Sequence, residues 1–428
     1  MYHVYSLLLT LVLLAWSPSL LLGALGIRRH REGWRERLGC YPEALVARLQ
    51  GIHPVWIHAV SVGEVGAAAV LAALWTARRP KLSLLLSTVT GTGREVARRS
   101  FSQAAGVVYF PLDFPMIVHR ALAAVRPRLI LLTETEIWPN FLRACAASKV
   151  PVAIINGRIS PRSFRRYRLV RPFIRRVLQC VDLFCMQTGA DAERVLELGA
   201  DPERVHVVGN LKFDAAPQTD ASSLAERWRQ ELKIEAGQPV LVAGSTHAGE
   251  EEALLQAFCL VRREFPDLLL ILAPRHPDRL AAVEAVIAAN GLAVVRRSAL
   301  ARARGGAKEV VLLDTVGELS ALYAVGSVTF VGGSLIPRGG HNLLEPALHG
   351  RPVLFGPHME NFAEASSIFV EHGAAVQVND AEELARQLAR LLRDPAARDR
   401  MGKAALEALA AHRGACERTV TLLERLFL

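Results

Sequence analysis

At 428 residues the chain has room for two domains of ordinary size, each with its own buried core, which excludes a single small module. Hydrophobic residues make up 51% of it, the level of a folded globular protein, and 51 lysines and arginines against 41 aspartates and glutamates leave a net charge of +10. That balance suits anionic lipid headgroups, phosphorylated substrates or nucleic acid and does not choose among them. The six cysteines form no CxxC pair and match no zinc spacing, so buried free thiols are expected.

The first element is apolar. From Leu7 to Ile27 no side chain is charged, and these 21 positions match the roughly 20 apolar residues that cross a bilayer as a helix. Arg28, Arg29 and Arg31 follow it, whereas a cleaved signal peptide carries its positive charge ahead of the apolar run. Residues 1–27 are therefore expected to form an uncleaved membrane anchor, with the remainder on the cytoplasmic side by the positive-inside rule. Pro18 leaves open whether the segment spans the bilayer or dips into one leaflet.

Beyond the anchor, short apolar runs alternate with helical stretches, the pattern of βαβ units and parallel sheets. Strands are expected at Val55–Val60, Leu82–Ser87, Leu129–Thr133, Val152–Ile155 and Leu183–Gln187, then at Val240–Gly244, Leu268–Ala273, Val310–Leu313, Val328–Val331 and Pro352–Phe355. This predicts an α/β architecture of two doubly wound parallel-sheet domains, residues 28–215 and 216–428, with the last helix able to pack back on the first. The boundary falls near Ala215–Asp220, where Ala-Ala-Pro-Gln-Thr-Asp breaks the periodicity. Ligands of such sheets bind at the carboxyl ends of the strands, which predicts an active site in a cleft between two facing domains. Between Arg158 and Arg176 eight arginines interleave with Phe164, Tyr167, Leu169, Val170, Phe173 and Ile174. Three readings stay open: a basic amphipathic surface for anionic lipid or an acidic acceptor, a solvated helix face with its apolar side on the sheet, or a nucleic-acid patch, which the expected membrane anchor disfavours.

Four stretches carry chemistry. Ser61-Val62-Gly63-Glu64 places Glu64 at a helix start, as a cleft carboxylate or as the partner of Ser61 in a capping box. Thr133-Glu134-Thr135-Glu136-Ile137-Trp138-Pro139-Asn140 ends a strand with two carboxylates two residues apart, which point to one side if the extended form persists. Pro274-Arg275-His276-Pro277 ends another strand with cationic groups. Gly332–Ala347 reads as strand, glycine-rich loop and helix start, where backbone N–H groups can approach a phosphate and Glu345 can reach ribose hydroxyls. Neither a GxxxxGK[ST] nor a GxGxxG fingerprint occurs in this context, which disfavours nucleotide hydrolases and dinucleotide oxidoreductases.

Taken in order with Asn210-Leu211-Lys212 and Gly339-Gly340-His341-Asn342-Leu343-Leu344-Glu345-Pro346, these strings resemble the transferases of 3-deoxy-D-manno-octulosonic acid (Kdo), inverting glycosyltransferases of the GT-B type. The resemblance runs to about Gly356, and the Glu-Thr-Glu-Ile-Trp-Pro-Asn string is its most particular part. It implies transfer of Kdo from CMP-Kdo to a tetra-acylated lipid A precursor at the cytoplasmic face of the inner membrane, with residues 28–215 on the acceptor side and 216–428 binding the CMP-sugar. Carried over, Glu64 is the proton acceptor, and Glu134 and Lys212 stabilise the transition state. Pro274 and Arg275, Val316-Gly317-Glu318, and Asn342, Leu343, Leu344 and Glu345 match the CMP-binding segments. CMP leaves with a single phosphate, so neither a metal nor another cofactor is expected, and no nucleic-acid partner. The glycine-rich motif alone would also permit a UDP-sugar donor with a lipid-linked acceptor.

Overall fold

The structure is a computed structural model and describes residues 1–11, 33–214, 221–300 and 309–427. The chain divides into two compact units, residues 1–215 with 412–428, and residues 216–411. Most of the expected anchor and the whole expected boundary Ala215–Asp220 lie outside the described residues.

The first unit is built on a seven-stranded sheet in the order β3-β2-β1-β4-β5-β6-β7. Its strands are β1 Val55–His58, β2 Leu84–Thr88, β3 Gly106–Tyr109, β4 Leu129–Thr133, β5 Val152–Gly157, β6 Leu183–Met186 and β7 Val205–Val207. Every pairing is parallel. Helices cover both faces, which is why β1, β2, β4, β5 and β6 read as continuous apolar runs and are buried throughout. Alternation sends Trp56, Leu85, Ile130 and Val152 into one core and Val55, Ile57, Leu86 and Leu131 into the other. The final helix, Ala415–Phe427, belongs to this unit: Asp214 accepts the N–H groups of Gly414 and Cys416 at 2.7 and 2.6 Å, and Val420 and Leu423 join the core beside helix Val62–Arg78.

The second unit repeats the plan with β8 Val240–Thr246, β9 Leu269–Pro274, β10 Val294–Arg296, β11 Val310–Leu312, β12 Val328–Val331, β13 Val353–Phe355 and β14 Ala375–Gln377, in the order β10-β11-β9-β8-β12-β13-β14 and again all parallel. In both units the strand order reverses beside the first strand, so the polar loops after the central strands gather at one edge of each sheet.

Residues 2–11 are helical. One face packs on the first unit: Tyr2 meets the Phe173 ring edge-on at 5.2 Å, Arg143 lies 4.8 Å over Tyr2, and Asn140 donates to the Ser6 hydroxyl at 3.0 Å. Val4, Leu7, Leu8 and Leu11 are exposed, at the i, i+3, i+4, i+7 spacing of a single stripe. Among the described residues no helix is long and apolar enough to cross a membrane. The arginine-rich stretch forms helices Pro161–Leu169 and Arg171–Leu178, whose Ile174, Val177 and Leu178 are buried while Leu169 and Val170 are exposed. All six cysteines are free.

Candidate active site

In the first unit the site is made by the loops that leave β1, β4 and β5 and the turn after β7. Ser61 caps helix Val62–Arg78 with a complete capping box, its hydroxyl accepting the Glu64 N–H at 3.3 Å while Glu64 Oε1 accepts the Ser61 N–H at 3.2 Å. The cap does not exhaust the carboxylate. Oε2 accepts the Val60 N–H at 2.9 Å and the Thr133 hydroxyl at 2.8 Å, so Glu64 ties the ends of β1 and β4 together and is only 8% exposed. The capping box is therefore formed, and the same carboxylate also links two strand ends.

The extended form does not persist through the next motif. β4 stops at Thr133, and Glu134 takes a left-handed φ of 57°, so the two carboxylates do not share one strand face as alternation would have it. A positive φ in a non-glycine residue is unfavourable, and it turns Glu134 onto Lys212, whose Nζ lies 3.2 Å from Oε1. Lys212 is presented by the short 3-10 turn Leu211–Asp214, itself fixed by the Leu211 N–H donated to the buried Asn156 at 3.0 Å. Glu136 faces a different neighbour, fully buried His58, at 3.9 Å. Burial pushes His58 down to about 3, so the ring is neutral and the contact is not an ion pair. Burial, and after it the negative charge of Glu64, pushes Glu136 up to about 7. The rest of the motif starts a helix: Pro139 occupies the first turn of Pro139–Ala147, and Asp113 accepts the Asn140 and Phe141 N–H groups at 3.0 and 2.7 Å.

In the second unit, Arg275 follows Pro274 at the end of β9, its N–H donated to Thr246 at 2.9 Å. Asn342 donates to Glu345 at 3.2 Å and accepts the Leu344 N–H at 3.2 Å, while Leu343 and Leu344 are buried. Burial raises Glu345, and the Arg275 charge opposes it. The structure thus brings Arg275, Asn342 and Glu345 into one neighbourhood. Val316 is 75% exposed and Gly317 has a φ of 94°; Glu318 is engaged with the Thr315 hydroxyl and with Arg297 at 3.4 Å.

Two features escaped sequence reasoning. His247 and His341 stack with their Nε2 atoms 2.8 Å apart, and His276 meets His247 edge-on at 5.4 Å. One ring of that pair must donate to the other, so at least one nitrogen is deprotonated. Burial and the neighbouring Arg275 push His341 down to about 4, while burial and His276 lower His247. The glycine-rich loop also departs from expectation. The N–H groups of Gly333, Ser334 and Leu335 are taken by the carboxylate of Glu250, so this part of the loop is closed to a phosphate. A histidine at a strand end is visible in sequence, but the pairing of two of them 94 positions apart is not. Among the described residues no group of three or more histidine, cysteine or acidic side chains is arranged to hold a metal ion.

Known proteins place this geometry. Residues 32–215 match the family model described as 3-deoxy-D-manno-octulosonic-acid transferase (kdotransferase), and residues 239–408 match glycosyl transferases group 1. A 3-deoxy-D-manno-octulosonic acid transferase of Haemophilus influenzae is 35% identical over 97% of both chains, and one of Bordetella pertussis is 38% identical over 87% of both. Among solved structures, a putative UDP-N-acetylglucosamine 2-epimerase of Listeria monocytogenes shares the fold at a TM-score of 0.60 with 15% identity, over 88% of this chain and 96% of that one. The chain belongs to the 3-deoxy-D-manno-octulosonic acid transferase family of glycosyltransferases.

Proposed function

We propose that the protein transfers Kdo from CMP-Kdo to a tetra-acylated lipid A precursor with inversion, the first unit serving the acceptor and the second the donor. The observation that carries this reading is the cluster at the ends of β1 and β4: a carboxylate, Glu64, held by three donors, beside the Glu134–Lys212 ion pair. An acceptor hydroxyl attacks the anomeric carbon as the bond to the CMP phosphate oxygen breaks. Its proton passes to Glu64, and the electron pair leaves with CMP. Glu134 and Lys212 stabilise charge at the reacting centre from a fixed geometry, which costs little reorganisation. Arg275 presents positive potential to the departing phosphate, the uncharged histidines beside it can offer it N–H groups, and Glu345, steadied by Asn342, is placed for ribose hydroxyls.

No divalent metal enters this scheme, so turnover is expected to be unchanged by saturating EDTA. The exposed stripe Val4, Leu7, Leu8, Leu11 and the arginine-rich helices suit the anionic surface of the inner membrane on its cytoplasmic side, a supply route for a lipid acceptor. The reading is tested by donor competition. CMP is expected to inhibit transfer and UDP is not; inhibition by UDP alone would move the protein to a UDP-sugar reaction.

A further inference from the structure

Helix Glu250–Arg262 opens with Glu250-Glu251-Glu252, three acids in a first turn, where such residues ordinarily face water and complement the helix dipole. Two of them do not. Glu250 is fully buried and Glu251 is 1% exposed. A buried carboxylate is costly unless donors fill its oxygens, and here they do. Glu250 accepts the N–H groups of Gly333 at 2.6 Å, Ser334 at 2.9 Å, Leu335 at 2.9 Å and His247 at 3.1 Å. Glu251 accepts two bonds from Arg279, at 2.9 and 3.2 Å, and one from the Thr246 hydroxyl at 3.1 Å.

The four donors to Glu250 come from the two loops that carry His247 and the Gly339–Glu345 motif. Gly333 passes the constraint on, because its carbonyl accepts the Gly340 N–H at 2.8 Å, immediately before His341. Gly333 has a φ of 69°, and a Cβ there would lie 2.8 Å from the His341 ring, so only glycine lets that ring close against the loop. Burial raises the Glu250 carboxyl and the four N–H donors oppose the shift.

We propose that Glu250 is a positioning residue of the donor site, an internal carboxylate that fills the backbone N–H nest at Gly333–Leu335 in place of a ligand anion and so holds His247 and His341 in register. The inference rests on the reading of this unit as the CMP-sugar site. It also names what the nest does not do: the donor phosphate is received after Gly339, with Arg275 and the histidines, and not by the first half of the glycine-rich loop.

The test uses the full chain and two variants, with CMP affinity, melting temperature and the KM of each substrate as readouts. Glu250→Gln keeps the size but turns an NH2 group toward N–H donors. It is expected to melt cooperatively, to weaken CMP binding and raise the donor KM about tenfold or more, and to leave the acceptor KM near wild type. Glu250→Ala empties the nest. Formate is expected to restore its CMP affinity, whereas formamide, which has the shape without the charge, is not, and formate does nothing for the glutamine variant. Unaltered CMP binding in Glu250→Gln, or equal loss at donor and acceptor, overturns the proposal whether or not the alanine variant folds. Failure of formate to restore a folded alanine variant overturns it as well. A wild-type protein that binds no CMP overturns the donor reading and this inference with it.

Discussion

Glu64 carries two roles that make different demands on one side chain. As a cap it supplies roughly 0.5–2 kcal/mol of stability; as a positioned base it supplies about 10²–10⁴ in rate. Glu64→Gln separates them, because an amide oxygen at the Oε2 position still accepts from the Val60 N–H and the Thr133 hydroxyl, and only the Ser61 N–H loses its acceptor. The variant is expected to fold, to melt within a few degrees of wild type, to bind CMP normally and to lose at least about 100-fold in single-turnover rate. Near-normal turnover would leave Glu64 a cap. Glu136 makes a separate statement about pH. Its carboxyl sits at about 7 in the native state against an ordinary 4.5, so across that interval the folded protein binds a proton that the unfolded chain has released. The contribution is present below the unfolded value and is lost as pH rises through about 7. The melting temperature of the wild type should therefore fall, relative to Glu136→Gln, between about pH 5 and pH 8. Parallel curves would contradict the assignment. Glu64, Glu134 and Lys212 stand out in the sequence because each lies in a short contiguous motif. Glu250 does not, since three acids at a helix start look alike until tertiary packing buries two of them.

At the scale of elements, all ten strands expected from apolar runs are present, with ends shifted by at most two residues. The four that were not expected, β3, β7, β10 and β14, are the four sheet edges. Edge strands are covered on fewer sides, and these are three or four residues long with partly exposed positions, so no continuous apolar run marks them. The arginine-rich helices pack an apolar side inward, through Ile174, Val177 and Leu178, and leave their arginines outside the core, as a solvated helix face would. Neutralising pairs such as Arg162 with Arg165 is expected to weaken binding to anionic vesicles or acceptor, more at low salt than at high, and to spare CMP. Equal loss of CMP binding would point to misfolding. The N-terminal helix packs on the first unit, since Tyr2 meets Phe173 and Ser6 accepts from Asn140. Deleting Met1–Gly26 should leave a folded protein, active on detergent-dispersed acceptor, that melts several degrees earlier, each kcal/mol being worth roughly 2–4 °C in domains of this size. An unchanged melting curve would show that those contacts contribute nothing.

For the whole molecule, two parallel-sheet units were legible from the alternation of apolar runs and helical stretches, and the family from the order of its motifs along the chain. The last helix, expected to be able to pack back on the first domain, does belong to the first unit, where Asp214 meets Gly414 and Cys416 two hundred residues later. The central claim is a transfer of Kdo, and it is tested most directly by incubating the purified full-length protein with CMP-Kdo and a tetra-acylated lipid A precursor and weighing the lipid by mass spectrometry. The expected product is the precursor heavier by a whole number of Kdo residues, with CMP released in equal amount and no product when a UDP-sugar replaces the donor. An unmodified lipid beside hydrolysed CMP-Kdo, or a lipid extended from a UDP-sugar, would contradict it.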